Sequence, residues 1–368
     1  MPVDINEIDN VVAAVEKEYG TLSIHKGSEA QKVPRIPYPS LELNIATGGG
    51  APIGRISRWF GNYSSGKTLN CLNLIKNAQN LNLIAEQFLE SEYDEVKRRG
   101  EELLKRFPDG LVCAYYNVEG VYDKDFAEQV GVDTEKLYVV EGSTIEPLAT
   151  ILEASLGAIH VHVVDSVSHA SSIDEVNSDM TDWHRAIKAR VWNKVLDHWY
   201  HHLDRSDNAI ILIDQVRVNQ LTGAEEAPGG KKLEHVSSQT IQFKRGKWLY
   251  NREGILKPEA PKKGETIHGS AEADGFEIQA RVTKSRVGRP LRMARMQIDF
   301  NGMKYNQEYE LAKAAEYFGV VERSGSWFTL PDGSKVQGEK GLRNALEENV
   351  DLKKKTIDEI DLYTTENP

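Results

Sequence analysis

The stretch Gly61-Asn62-Tyr63-Ser64-Ser65-Gly66-Lys67-Thr68 fits the pattern G-x-x-x-x-G-K-[ST] without a gap. The run before it, Gly54-Arg55-Ile56-Ser57-Arg58-Trp59-Phe60, reads as a short strand, and Leu69 to Ile84 carries apolar residues at helical spacing. Strand, glycine loop and helix in this order make a phosphate-binding loop. The glycines let the backbone curl so that its N–H groups face phosphate oxygens, and the helix N-terminus adds the positive end of its dipole. Lys67 is expected to reach the β- and γ-phosphates of a nucleoside triphosphate, and the Thr68 hydroxyl to take a place on Mg²⁺. An ordinary glycine turn ahead of a helix would match the pattern without this context.

With 368 residues, the chain has room for one large domain with an appendage, or for two domains. The 45 basic and 56 acidic residues leave a net charge of −11, so any nucleic-acid site must be a local patch. Cys71 and Cys113 give no disulfide framework and suit a reducing compartment. No apolar run approaches the roughly 20 residues of a membrane span, and Asp4, Glu7 and Asp9 stand where a signal peptide would be basic. The expected location is the cytoplasm.

Residues 5–19 place Ile5, Ile8, Val11, Val12, Val15 and Tyr19 at helical spacing, a short amphipathic helix that must pack on its own core or on a neighbouring subunit. After the phosphate-loop helix, Glu86 to Lys105 is charged, with acid–base pairs such as Asp94/Arg98, Glu95/Arg99 and Glu101/Lys105 at i,i+4, and reads as an exposed helical insertion. Three β-rich runs follow, 111–116, 159–164 and 209–213, alternating with helical patterns. That alternation predicts a parallel sheet covered on both faces, with the ligand beyond the carboxyl ends of its strands.

Each of these strands ends in a polar residue. Asp165 is placed to hold Mg²⁺ near Thr68. Glu119, at the end of a strand taken to lie next to the phosphate loop, is placed to orient and deprotonate an attacking water, although an exposed loop glutamate would look the same. Gln215 ends a buried strand with an amide suited to sensing a γ-phosphate. The Gly- and Pro-containing stretch 219–232 beyond it is either a mobile switch loop or a surface connection. Arg281 to Arg295 is a basic stripe with no acid, whose plainer reading is a solvated strand and hairpin. From Met303 onward the pattern is a small α+β unit ending in a short charged tail.

This order of features resembles the RecA recombinase family over nearly the whole chain, from Val12 to about Ile360. The resemblance rests on Ala14-Val15-Glu16-Lys17-Glu18-Tyr19-Gly20, Ser40-Leu41-Glu42-Leu43-Asn44-Ile45-Ala46, Val163-Val164-Asp165-Ser166-Val167, Ile213-Asp214-Gln215-Val216-Arg217 and Gly319-Val320-Val321-Glu322-Arg323-Ser324-Gly325-Ser326-Trp327-Phe328, as well as on the phosphate loop. It implies a P-loop α/β core with a central, mostly parallel sheet (37–302), an N-terminal oligomerisation helix and linker (1–36) and a small C-terminal α+β domain (303–368). Glu119 becomes the catalytic glutamate, Gln215 the γ-phosphate sensor, and Asp123 and Phe126 the adenine contacts. DNA loops fall at about 175–185 and 219–230. His184 matches the family's histidine. Arg185, Arg190, Arg217, Gly229, Gly230 and Lys231 match or border the DNA path, and Lys284 and Arg286 match a basic pair that reaches a neighbour's ATP.

The implied function is an ATP- and Mg²⁺-dependent recombinase. It would form a filament of its own copies on single-stranded DNA and exchange strands with homologous duplex. A ring-forming helicase-type motor and a non-catalytic recombination mediator are the alternatives. Departures from the family are the insertion at about 86–107, a slightly shorter second loop, His235 in place of an aromatic, and an acidic tail reduced to Asp358-Glu359-Ile360-Asp361 and a few more. They suggest a divergent, phage-type member.

Overall fold

A computed structural model describes residues 10, 11, 14, 15 and 17, then 32–120, 122–178, 185–203, 207–218, 225–226, 230–252, 255–258 and 273–368. The chain divides into two compact units, Met1–Val33 and Pro34–Pro368. Most of the expected N-terminal helix, His184, Gly229 and most of both expected DNA loops lie outside the described residues.

Six strands of the second unit run parallel: β1 (Arg55–Gly61), β2 (Cys113–Asn117), β3 (Leu137–Glu141), β4 (Val161–Asp165), β5 (Ala209–Gln215) and β6 (Gln239–Arg252). Their spatial order is β6-β1-β5-β4-β2-β3. On the other side of β6 the sheet continues antiparallel through β8 (Gly275–Ser285), β9 (Met293–Asp299) and β10 (Lys304–Tyr305), while β7 (Ile255–Lys257) pairs only with the end of β6. The helices are α1 (Leu41–Thr47), α2 (Lys67–Gln79), α3 (Leu81–Leu89), α4 (Asp94–Arg106), α5 (Lys124–Val130) and α6 (Ile145–Ser155). They continue with α7 (Ile173–Asn177), α8 (Arg185–Leu203), α9 (Gly230–Val236), α10 (Gln307–Tyr317), α11 (Gly338–Glu348) and α12 (Val350–Glu366).

The parallel strands read as unbroken apolar runs because both faces are covered: every residue of β2 and β4 is buried. Along β5, Ile211 and Ile213 join the core beneath α2, while Ile210 and Leu212 join the core of α6 and α8 with Leu148, Leu196 and Trp199. Each such side chain contributes about 1.5–3 kcal/mol by leaving water. Edge strand β3 went unread in the sequence, although Leu137-Tyr138-Val139-Val140 is β-rich and its Tyr138 is exposed as an edge residue is.

Three expectations are corrected. The helix expected over 69–84 breaks at Asn80, whose side chain turns back to Lys76 O at 2.8 Å. The charged segment that follows is a packed hairpin of α3 and α4. Arg98 pairs with Glu95 at i,i+3 (2.9 Å), while Arg99 turns inward, over the Phe88 ring at 4.7 Å and onto Gly49 O at 3.1 Å. The region expected to end as a charged tail is the 17-residue helix α12. Leu352, Thr356 and Ile360 recur every four residues on one buried face, and Asp358 is buried on another side of the helix. With α10, α11 and the strands β11 (Glu322–Ser324), β12 (Trp327–Thr329) and β13 (Lys335–Gln337), α12 shares a core that also receives Leu41 and Ile45 of α1.

Candidate active site

The phosphate loop follows β1 and opens α2. Ser64 (φ 55°) and Gly66 (φ 84°) take left-handed backbone conformations, and a Cβ at Gly61 would come within 2.1 Å of Phe243 O on β6. Only glycine permits that approach. Asn62, Tyr63 and Ser64 form the exposed rim of the loop, and Ser65 is buried beneath it. The Lys67 ammonium donates to Gly61 O and Asn62 O, both at 2.9 Å, and to Ser65 Oγ at 3.4 Å. Burial lowers the pKa of Lys67, against the raising influence of Asp165 and Glu119.

Asp165 closes β4 with its Oδ2 accepting from Thr68 Oγ1 and Tyr115 OH, both at 2.8 Å. Burial raises its pKa, and those two hydrogen bonds oppose the rise. A hydroxyl beside a carboxylate at a helix N-terminus is a hard oxygen donor set, which fits Mg²⁺ and not a soft metal. The buried lysine and curled backbone fit a polyphosphate.

The strand carrying Glu119 is not next to the phosphate loop. β5 and β4 stand between β1 and β2, because the chain returns to the middle of the sheet only after β2 and β3 are laid down. Glu119 nevertheless meets the other strand ends. Its Oε1 accepts from Gln215 Nε2 at 2.7 Å and Ser166 Oγ at 2.7 Å, with His169 Nδ1 at 2.8 Å. Gln215 is anchored in turn by the preceding residue: Asp214 Oδ1 accepts from its N–H at 3.0 Å, and Asp214 Oδ2 holds buried Arg58 at 2.6 Å.

Tyr115, Ser166, His169, Asp214 and Arg58 were all missed from sequence. His169 alone left a signal, an ionisable residue four positions beyond Asp165. Arg58 and Asp214 sit in apolar-looking strands on different segments, and only the register β1–β5 unites them.

The remaining expected residues are spread out. Asp123 caps α5, accepting from Phe126 N at 2.9 Å, and Phe126 is half-buried against the core; α5 packs on α2. Lys284 and Arg286 do not join the cluster within the chain. Lys284 is level with Arg58, midway along β1, and donates to His235 O at 3.2 Å. Arg286 is exposed beside it. Arg185 and Arg190 lie on α8, Arg190 exposed. Arg217 belongs to a two-residue ladder with Glu225–Glu226, and Gly230 and Lys231 open α9. Among the described residues, no helix is long and apolar enough to cross a membrane.

Fold and site together define a P-loop nucleoside-triphosphate-binding protein with its carboxylates at the carboxyl ends of a parallel sheet. A profile of the RecA N-terminal domain matches residues 6–97 and 103–304, interrupted only inside α4. Protein RecA of Thermus aquaticus is 30% identical over 353 residues, 94% of this chain and 90% of the relative. Protein RecA of Thermus thermophilus is 31% identical over 353 residues with the same coverage, and that of Aquifex aeolicus 29% identical over 362 residues, 96% of this chain and 90% of the relative. The chain belongs to the RecA family.

Proposed function

We propose that the chain is an ATP-dependent DNA recombinase of the bacterial or phage-infected cytoplasm. It polymerises on single-stranded DNA, pairs that strand with homologous duplex and hydrolyses ATP in a DNA-stimulated manner. The observation that carries this reading is the convergence of Lys67, Thr68, Asp165, Glu119 and Gln215 from four strand ends. Lys67 and the loop N–H groups bind the β- and γ-phosphates, while Asp123 and Phe126 face the adenine. Thr68 and Asp165 would hold Mg²⁺, which when bound supplies positive charge to the phosphates. Glu119 orients a water and takes its proton as the bond to ADP breaks, and Gln215, bonded to that same carboxylate, links the γ-phosphate to the chain leading into the second DNA loop.

Lys284 and Arg286, which do not join the cluster within the chain, serve a neighbouring subunit's nucleotide. Arg190 and Arg217, with Arg185, Gly229, Gly230 and Lys231, contact DNA phosphates, so that binding is sequence-independent and salt-sensitive. Glu119→Gln is expected to lower DNA-stimulated hydrolysis about 100-fold while leaving ATP-dependent DNA binding in place. Hydrolysis at the parental rate would remove Glu119 from its role. Electron microscopy with a non-hydrolysable ATP analogue and single-stranded DNA should show helical filaments; closed rings would favour a helicase-type motor. A strand-exchange assay with and without ATP tests the recombinase activity itself.

A further inference from the structure

The turn Ser166–His169 leaves β4 directly beneath Glu119, and it brings one imidazole to the carboxylate that the proposed hydrolysis depends on. His169 Nδ1 lies 2.8 Å from Glu119 Oε1 and 2.7 Å from Ser166 Oγ, with Gln215 Nε2 at 3.4 Å. An ionised carboxylate oxygen only accepts, so the Nδ1 facing it carries hydrogen. Glu119 Oε1 thus takes donors from three directions: a hydroxyl, an amide and an imidazole. Three donors fix the carboxylate's orientation far more tightly than one.

The charged groups around the pair are few. Lys67 and Asp165 interact electrostatically with Glu119 from the phosphate-loop side. Lys188 of α8 donates to Ser168 O at 2.6 Å, tying the same turn to the helix that follows the first expected DNA loop. Gln215 and Ser166 are neutral. His169 and Glu119 are each a little over one-third exposed, at 39% and 38%, so solvent protons reach both.

Resting on the ATPase reading above, we propose that His169 is a positioning residue that holds Glu119 for hydrolysis. With hydrogen on Nδ1 it donates to Glu119 Oε1 and, together with Ser166 and Gln215, orients the carboxylate.

The test is steady-state DNA-stimulated ATP hydrolysis by the parental chain, His169→Ala and His169→Asn. The Asn amide reproduces the Nδ1 donor. His169→Ala should lose about tenfold in kcat, with KM for ATP within about twofold, since an orienting bond made to the catalytic base is lost. His169→Asn should recover most of that loss. Parental kcat in both variants overturns the role of His169. A rise in KM at unchanged kcat overturns it as well. A parental chain with no DNA-stimulated hydrolysis overturns the ATPase reading and this inference together, whereas a hydrolysing parent with indifferent variants overturns this inference alone.

Discussion

Arg58 and Arg99 are both buried guanidinium groups, Arg58 on an apolar-looking strand and Arg99 on a charged helix, and the molecule treats them differently. Arg58 lies inside the sheet, one strand from Asp214, and touches its carboxylate at 2.6 Å. Arg99 lies between α4 and α12 and is held by neutral oxygens: Gly49 O at 3.1 Å, Thr364 Oγ1 at 3.3 Å and Thr365 Oγ1 at 3.4 Å. Its nearest acid acts only through space. Burial pushes the Asp361 carboxyl up to about 7, with Arg99 opposing and Asp358 adding to the rise. A contact ion pair near a strand end fixes the next residue, here Gln215, in the candidate active site. A guanidinium capped by carbonyl and hydroxyl oxygens joins two surfaces and leaves a carboxyl nearby that titrates.

The difference is sharpest if Arg58 is removed. Arg58→Met leaves Asp214 buried without its charge partner, which costs about 3–5 kcal/mol by urea unfolding. Since Asp214 Oδ1 also receives the Gln215 N–H, hydrolysis per folded molecule should fall by at least about tenfold. The double variant Arg58→Met/Asp214→Leu should regain most of the stability and little of the activity. Equal recovery of both would mean that the pair is structural only. Arg99→Ala is the smaller perturbation. Loss of its hydrogen bonds and of its packing over Phe88 should cost about 2–4 kcal/mol, with hydrolysis per folded molecule close to parental. A tenfold loss of kcat in Arg99→Ala would break the separation of the two regions.

The two regions also differ in how much of them could be read beforehand. Around the phosphate loop, chemistry dictates local sequence. A glycine is needed where Phe243 O comes close, and a polar residue marks a strand end, so Gly61, Lys67, Asp165 and Gln215 could be singled out without coordinates. Strand order was not local information, and Glu119 was placed beside the wrong strand although it was correctly put at a strand end. Around Arg99, nothing local distinguishes a buried charge from a solvated one. Glu95 and Arg99 have the spacing of a surface pair, and Lys353-Lys354-Lys355 makes α12 look like a tail. What decides both is the apolar stripe of Leu352, Thr356 and Ile360, which gains its meaning only once α1 and α10 supply a surface to cover.

The smallest expected effect tests the titrating half of the contrast. A carboxyl whose pKa is raised from 3.8 to about 7 by burial binds its proton more tightly in the folded chain than in the unfolded one. Its contribution to stability is therefore complete below about pH 4 and is lost as the pH rises through about 7. Glu310 of α10, raised from 4.5 to about 8 by burial while accepting from Ser40 Oγ at 2.9 Å, acts in the same direction at slightly higher pH. The parental chain should thus lose stability between about pH 4 and 8. Asp361→Asn removes one of the two titrations and keeps the shape of the side chain, so it should gain about 1–2 kcal/mol at pH 8 and little at about pH 4. Thermal unfolding of both chains across that range gives the answer. An unchanged slope in Asp361→Asn would mean that the Arg99 charge holds Asp361 ionised after all, and the two buried guanidinium sites would then be alike in kind.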